Sequence, residues 1–344
     1  MQRVLTAKDS LFDERGRLRA AGYSKTPMLE YCRDQVKSSK LLLKEWDYYL
    51  VCNDHYGVAF TVSDNGYLGF VSASLLDFDE GSQYTASVMT PMPLGKYHMP
   101  ASSMRGDVVF QHDKCTLSFK ITEKGRHLQC MFKDFKDSKP FTADILLTDE
   151  PEESMNIVVP FPGAVKAFYY NRKINCMRAS GEAQFGGKRY EFTADSSFGT
   201  FDWGRGVWTY KNTWYWSSLS CLIKGVPFGF NLGYGFGDTS AATENMLFYN
   251  GRAHKLGGVV FNIPKDSKLR PDVNKDWIIG SDDGRLHLTF FPVLDRSAKL
   301  NALIVCSDQQ QVFGRFSGTA RLDDGTELKF KDVMGFAERV TNRW

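Results

Sequence analysis

The sequence predicts an all-β protein, two antiparallel β units in tandem behind an N-terminal arm. Three observations predict it: tight-turn signals recur along the whole chain, the runs between them alternate apolar and polar residues, and aromatic residues reach 14%, led by 26 Phe and 15 Tyr. The turn signals fall at residues 64–66 (DNG), 123–125 (EKG), 186–187 (GG), 250–251 (NG), 282–284 (DDG) and 323–325 (DDG). Asn, Asp and Gly tolerate the positive φ that tight hairpins demand, so each signal reads as a β-hairpin. Aromatic side chains pack well on a pleated, half-buried surface, which suits the same class.

A chain of 344 residues exceeds one ordinary core, and two domains are the natural expectation. The first 34 residues are polar and Gly-containing and read as an arm laid over the body. Residues 27–45, TPMLEYCRDQVKSSKLLLK, are the best helical candidate. In 115–122, Cys115, Leu117, Phe119 and Ile121 share one face of a predicted strand, and 127–135 returns after the turn. The strand-like run 173–185 ends in Gly-Gly, which places the expected boundary between a first unit over 35–186 and a second over 187–344. In 227–237, Phe228, Phe230, Leu232, Tyr234 and Phe236 line one side and Gly229, Asn231, Gly233, Gly235 and Gly237 the other. A glycine face leaves room for a bend, a neighbouring backbone or a ligand. Residues 292–301 are expected to hold at most a short helical turn.

Composition excludes several function classes. The 43 basic and 40 acidic residues nearly cancel and form no run, so nothing supports nucleic-acid binding. Seven dispersed cysteines, without CxxC or zinc-finger spacing, read as reduced thiols and suggest a cytoplasmic protein. The N-terminus lacks the apolar stretch of a signal peptide, and no run is long enough to span a bilayer. The six histidines show no metal-binding spacing. There is neither a GxSxG elbow nor a phosphate loop opening a helix. The expectation is therefore cofactor-independent chemistry or plain binding; the sequence carries no signal for an oligomeric state.

The segment FGTFDWGRGVWTYKNTWYWSSLSCL, residues 198–222, carries four of the seven tryptophans and the best site candidates. Asp202 and Arg205 have two readings. Asp202 is either an acid held in an aromatic pocket, able to protonate a substrate beside Trp faces that stabilise positive charge, or one half of a structural pair with Arg205. Trp208, Tyr210, Trp214, Trp216, Ser218 and Ser220 share one parity, as a cavity wall or a core strand would. Downstream, the polar stretch with Glu244 and Asn245 is either a pocket mouth beside Asn231 or a turn stabilised by its own side chains.

The blocks FDERGRLRAAGYSKTP, LKEWDYYLV, SDNGYLGF, FDWGRGVWTY and TENMLFYNGRAHKL resemble the bacterial domain of unknown function family 2804. That family is similar to a wider group containing hydroxyneurosporene synthase (a carotenoid hydratase), tocopherol cyclase, AttH and fungal lipocalin-like Diels–Alderases. The resemblance implies two tandem lipocalin-like antiparallel β-barrels, acting on bulky apolar molecules without metal or redox cofactor. By the hydratase motif Asp202 takes the place of the proton donor; the Tyr that the motif has two residues earlier is Thr200 here. The expectation is thus a lyase or isomerase for an isoprenoid, polyketide or lipid. Asp202 and Arg205 would act catalytically, while Trp203, Trp208, Tyr210, Trp214, Trp216, Asn231, Glu244 and Asn245 would line the site. The alternative is a carrier of a hydrophobic ligand.

Overall fold

The computed structural model describes residues 2–302 and 305–343. In the arm lie β1 (Asp9–Ser10), β2 (Gly22–Ser24), β3 (Leu29–Glu30) and a 3-10 turn at Arg33–Gln35. There follow β4 (Leu43–Cys52), β5 (Tyr56–Asp64), β6 (Leu68–Asp77), β7 (Ser82–Pro91), β8 (Val108–His112), β9 (Cys115–Thr122), β10 (Gly125–Lys136) and β11 (Lys139–Thr148). Next come β12 (Met155–Phe161), the long β13 (Ala164–Phe185), β14 (Lys188–Phe192) and β15 (Phe198–Val207). The second half contains β16 (Lys211–Ile223), β17 (Val226–Tyr234), β18 (Met246–Tyr249), β19 (Arg252–Lys255), β20 (Val259–Asn262) and β21 (Trp277–Ser281). It ends with β22 (Leu286–Asp295), β23 (Ala298–Ala302), β24 (Val305–Arg321) and β25 (Glu327–Arg343).

All six turn signals lie at hairpin ends, and Gly66, Gly125, Gly186, Gly187, Gly251, Gly284 and Gly325 take positive φ there. The hairpins assemble two curled sheets of antiparallel strands. The first runs β7-β6-β5-β4-β15-β13-β11-β10-β9-β8, and the second β19-β18-β17-β16-β25-β24-β22-β21-β20. In the first sheet β7 approaches β10, and in the second β17 approaches β20, so both sheets curl back on themselves.

Two expectations are corrected here. The chain passes from one sheet to the other between Val207 and Lys211 rather than at 186/187, because β14 and β15 both pair with β13. The Trp-rich segment is therefore divided between the sheets, with Asp202 in the first and Trp214 and Trp216 in the second. Neither helical candidate forms a helix beyond the 3-10 turn. In 27–45, Leu29 and Tyr31 alternate into the first core between the exposed Glu30 and Cys32, so docking on a sheet overrides local helix propensity. Residues 292–301 continue β22 and turn into β23.

Each sheet encloses its own core. The arm contributes Leu11, Phe12, Tyr23, Leu29 and Tyr31 to the first, and β2 adds a short strand beside β12. A third cluster joins the sheets: Tyr48, Leu50, Ala59, Leu76 and Phe78 of the first meet Trp216, Leu294, Phe313, Met334 and Phe336 of the second. Asn175 pins this junction, its amide donating to Ser218 Oγ at 2.7 Å and to the carbonyls of Phe230 and Leu219. The glycine face of β17 is what permits the approach. A Cβ on Gly229 would lie 2.7 Å from Cys176 Sγ, and one on Gly233 2.7 Å from the Glu244 carboxyl carbon.

Candidate functional site

The functional side chains are sorted by the alternation of β15. Successive residues of a strand point to opposite faces, so Asp202 and Arg205, an odd number apart, cannot share one. The expected pair is thus not formed. Arg205 and Trp203 point into the core of the first sheet. There the Arg205 guanidinium donates to Asp47 Oδ1 at 3.1 Å and to the carbonyls of Trp46, Gly204 and Pro100. It also lies 4.3 Å from the centroid of the Trp203 ring. Glu45, beside Arg205 in register, accepts from Tyr31 and Arg33 of the arm. This buried network ties the arm to the sheet.

Asp202 faces the other way, onto the junction. Register sets Tyr48, Asp202 and Lys173 side by side across β4, β15 and β13. Lys173 Nζ lies 3.5 Å from Asp202 Oδ1 and 3.3 Å from Glu244 Oε2. It donates to Tyr169 Oη and Asn171 Oδ1, both at 3.1 Å, and sits 4.5 Å from the centroid of the Trp216 ring. Burial by itself would push the ammonium pKa down, but Asp202, Glu244 and Glu338 together hold it above its ordinary value. Asp202 accepts a hydrogen bond from Asn171 Nδ2 at 2.6 Å. The Lys173 ammonium and the Asn171 side-chain amide thus both face the Asp202 carboxyl group.

This cluster borders a cavity of about 490 Å³ between the sheets, within the range of roughly 300–1,000 Å³ typical of small-molecule sites. Trp46, Tyr169, Trp208, Trp214, Trp216 and Phe236 form its aromatic walls; the remainder mixes Ser63, Ser72, Thr85, Gln309 and Gln311 with Leu68, Phe70, Met89 and Val340. Gly204 makes the aromatic wall possible: a Cβ there would fall 1.9 Å from the Trp46 ring. Among the described residues, no group of three or more His, Cys, Asp or Glu is disposed to hold a metal ion.

Sequence parity does not survive the link between sheets. Trp208 lies in that link and enters the cavity, whereas Tyr210, two residues on, is 58% exposed. Within β16, Trp214 and Trp216 face the cavity, and Ser218 and Ser220 bond to Asn175 and Cys176 of the first sheet. Glu244 borders the cavity, but Asn245 is a structural pin, accepting from Gly233 N and donating to Gly257 O. Asn231 stands behind the wall, accepting from Trp216 Nε1 at 2.7 Å and donating to Glu244 O at 2.8 Å. Of the ten expected site residues, Asp202, Trp208, Trp214, Trp216 and Glu244 border the cavity.

Lys173, Arg296 and Glu338, whose chemistry the sequence analysis did not single out, also border the cavity. Glu338 lies on β25, where Met334, Phe336, Glu338, Val340 and Asn342 share a parity and are all buried. A charged residue on the apolar parity of a strand was the available signal. Its carboxyl accepts from Trp214 Nε1 at 3.1 Å and Gln311 Nε2 at 3.0 Å. Burial pushes its pKa up to about 7, against the opposing pull of Trp214 and Lys173. The phenols of Tyr48 and Tyr169 are likewise raised by burial, so both stay neutral at physiological pH.

Comparison with known proteins places the chain. The profile described as "Domain of unknown function (DUF2804)" matches residues 2–344. The chain belongs to the DUF2804 family. Among solved structures it is similar to a candidate AttH protein from Nitrosomonas europaea, at 14% identity and TM-score 0.58, with 90% of this chain and 96% of that one covered. Kievitone hydratase from Nectria haematococca aligns at 11% identity and TM-score 0.47, with 88% of each chain covered. No curated protein matches the chain. At these identities the likeness to the AttH structure shows a shared fold for this DUF2804 protein. Among its described residues no helix is long and apolar enough to cross a membrane.

Proposed function

We propose that this protein is a cofactor-independent lyase or isomerase that works by acid–base chemistry on an apolar small molecule held between the sheets. The observation that carries the reading is one aromatic-walled cavity bordered by two kinds of carboxyl group. Asp202 and Glu244 are held by the Lys173 ammonium, while Glu338, with neutral hydrogen-bond donors, titrates near neutrality. A carboxyl group raised by burial suits the role of acid, and carboxyl groups beside a cation and an aromatic wall suit that of charge stabilisation.

In this reading Glu338, rather than Asp202, supplies the proton. Its O–H bond breaks as the proton is transferred to one carbon of a substrate double bond, leaving the Glu338 carboxylate, and the resulting cation faces the Trp216 ring and the Asp202 carboxyl group. Loss of a different proton to the Glu338 carboxylate yields an isomer or a cyclised product. Capture of one water, followed by return of its proton to Glu338, yields a hydrate. General acid catalysis of this kind contributes about 10²–10⁴-fold. We read each curled sheet as a lipocalin-like barrel, supported by the approach of β7 to β10 and of β17 to β20. Seven free thiols support a reducing, cytoplasmic setting.

The test is native mass spectrometry of gently purified protein with extraction of bound compounds, on wild type and Trp208→Ala, followed by incubation of the recovered class with wild type and E338Q. Gain of one water or an isobaric product, abolished in E338Q, supports the enzyme. A compound retained unchanged by both proteins identifies a carrier instead. A folded protein that retains and converts no apolar compound overturns both.

A further inference from the structure

Arg296 borders the cavity, and the proposed reaction leaves its chemistry unused. It follows β22 and is held in place from both sheets. Its backbone N–H donates to Gln311 O at 2.8 Å, and its guanidinium donates to the Gln311 side-chain carbonyl and, at 2.7 Å, to Ser74 Oγ of the first sheet. Both side-chain partners are neutral. Arginine carries five N–H donors, and these two bonds commit only part of the fork.

Among the described residues the half-buried Arg178 and Arg339 also show no ion pair, but neither borders the cavity, and the other buried or half-buried arginines named next each hold a carboxylate. Arg126 and Arg172 pair with Glu150, Arg205 with Asp47, and Arg285 with Asp323. Among the described residues, no carboxylate lies within ion-pair distance of Arg296, although it is half-buried in a cavity wall. A half-buried cation with neutral partners gains most from an anion that brings its own charge, and a planar guanidinium matches a carboxylate or phosphate oxygen pair.

From this arrangement we infer that the cavity's ligand is an amphipathic acid, an apolar body with an anionic group that Arg296 holds. The inference rests on the cavity being the ligand site. The hydroxyl- and amide-lined part of the cavity around Arg296 takes the polar end, and the Trp46, Trp208 and Phe236 walls take the carbon skeleton.

The test uses matched acid–alcohol pairs, one a saturated chain (dodecanoate and dodecanol) and one flat (naphthylacetate and naphthylethanol). Binding is measured by calorimetry and tryptophan quenching on wild type, R296M and R296K. A charge-assisted hydrogen bond contributes about 1.5–3 kcal/mol, so wild type should favour the acid of at least one pair by about tenfold or more. R296M should erase that preference while binding the alcohol unchanged, and R296K should keep part of it, which also shows that the site remains folded. Equal binding of acid and alcohol, or a preference that survives R296M, overturns the inference and leaves the apolar cavity standing. No binding of either pair overturns the ligand-site reading and this inference with it.

Discussion

Glu338 offers a test that needs no substrate. Its pKa rises from 4.5 to about 7 because it is buried, with Trp214 and Gln311 as hydrogen-bond donors, Lys173 opposing the rise and Asp202 adding to it. The folded protein therefore keeps this proton over an interval in which the unfolded chain has released it. Stability contributed by the group falls as pH climbs from about 4.5 to about 7 and is level above that. At about 1.4 kcal/mol per pH unit, the loss is about 3 kcal/mol. Glutamine preserves the shape and stays neutral, so E338Q removes the dependence. Denaturant unfolding of both proteins from pH 4.5 to pH 8 should show E338Q gaining about 3 kcal/mol on wild type across that range. Wild-type tryptophan emission should titrate with a midpoint near 7 through the Trp214 indole, and the transition should vanish in E338Q. A difference between the two proteins that stays level across the range, with no emission midpoint between pH 6 and 8, would refute the account of Glu338 as the titrating acid.

Three further outcomes follow from the same geometry. K173M leaves Asp202 and Glu244 buried without their cation; the loss should be about 3–5 kcal/mol, as denaturant unfolding would show. R205M should destabilise by a similar amount, because Asp47 loses its buried partner. It should leave small-molecule binding intact in the protein that stays folded, since Arg205 lies on the core face of β15; a selective loss of binding would contradict that placement. In G204A the new methyl group would overlap the Trp46 ring, with an expected loss of about 1–3 kcal/mol and weaker ligand binding, measurable by unfolding and by calorimetry.

Turn chemistry and alternation made the class of fold legible in the sequence. A Gly or Asn at positive φ acts within a few residues, and each of the six turn signals closes a hairpin without help from distant parts of the chain. Strand faces were readable for the same reason, as in Cys115, Leu117 and Phe119, all buried. Asp202, the tryptophans of β16 and Glu244 could be singled out because unusual residues cluster within short stretches. What surrounds them could not. Lys173 meets Asp202 through pairing of β13 with β15 and meets Glu244 through contact between the two sheets. Arg205 stands three positions from Asp202, yet the twofold alternation of a strand sends it to the opposite face and to Asp47. The titration of Glu338 and the neutral surroundings of Arg296 depend on burial between sheets formed by separate halves of the chain. Local conformational preference is a property of neighbouring residues and is written in their order. Charge, burial and cavity shape arise only where residues far apart in sequence meet, so the tertiary structure alone decided them.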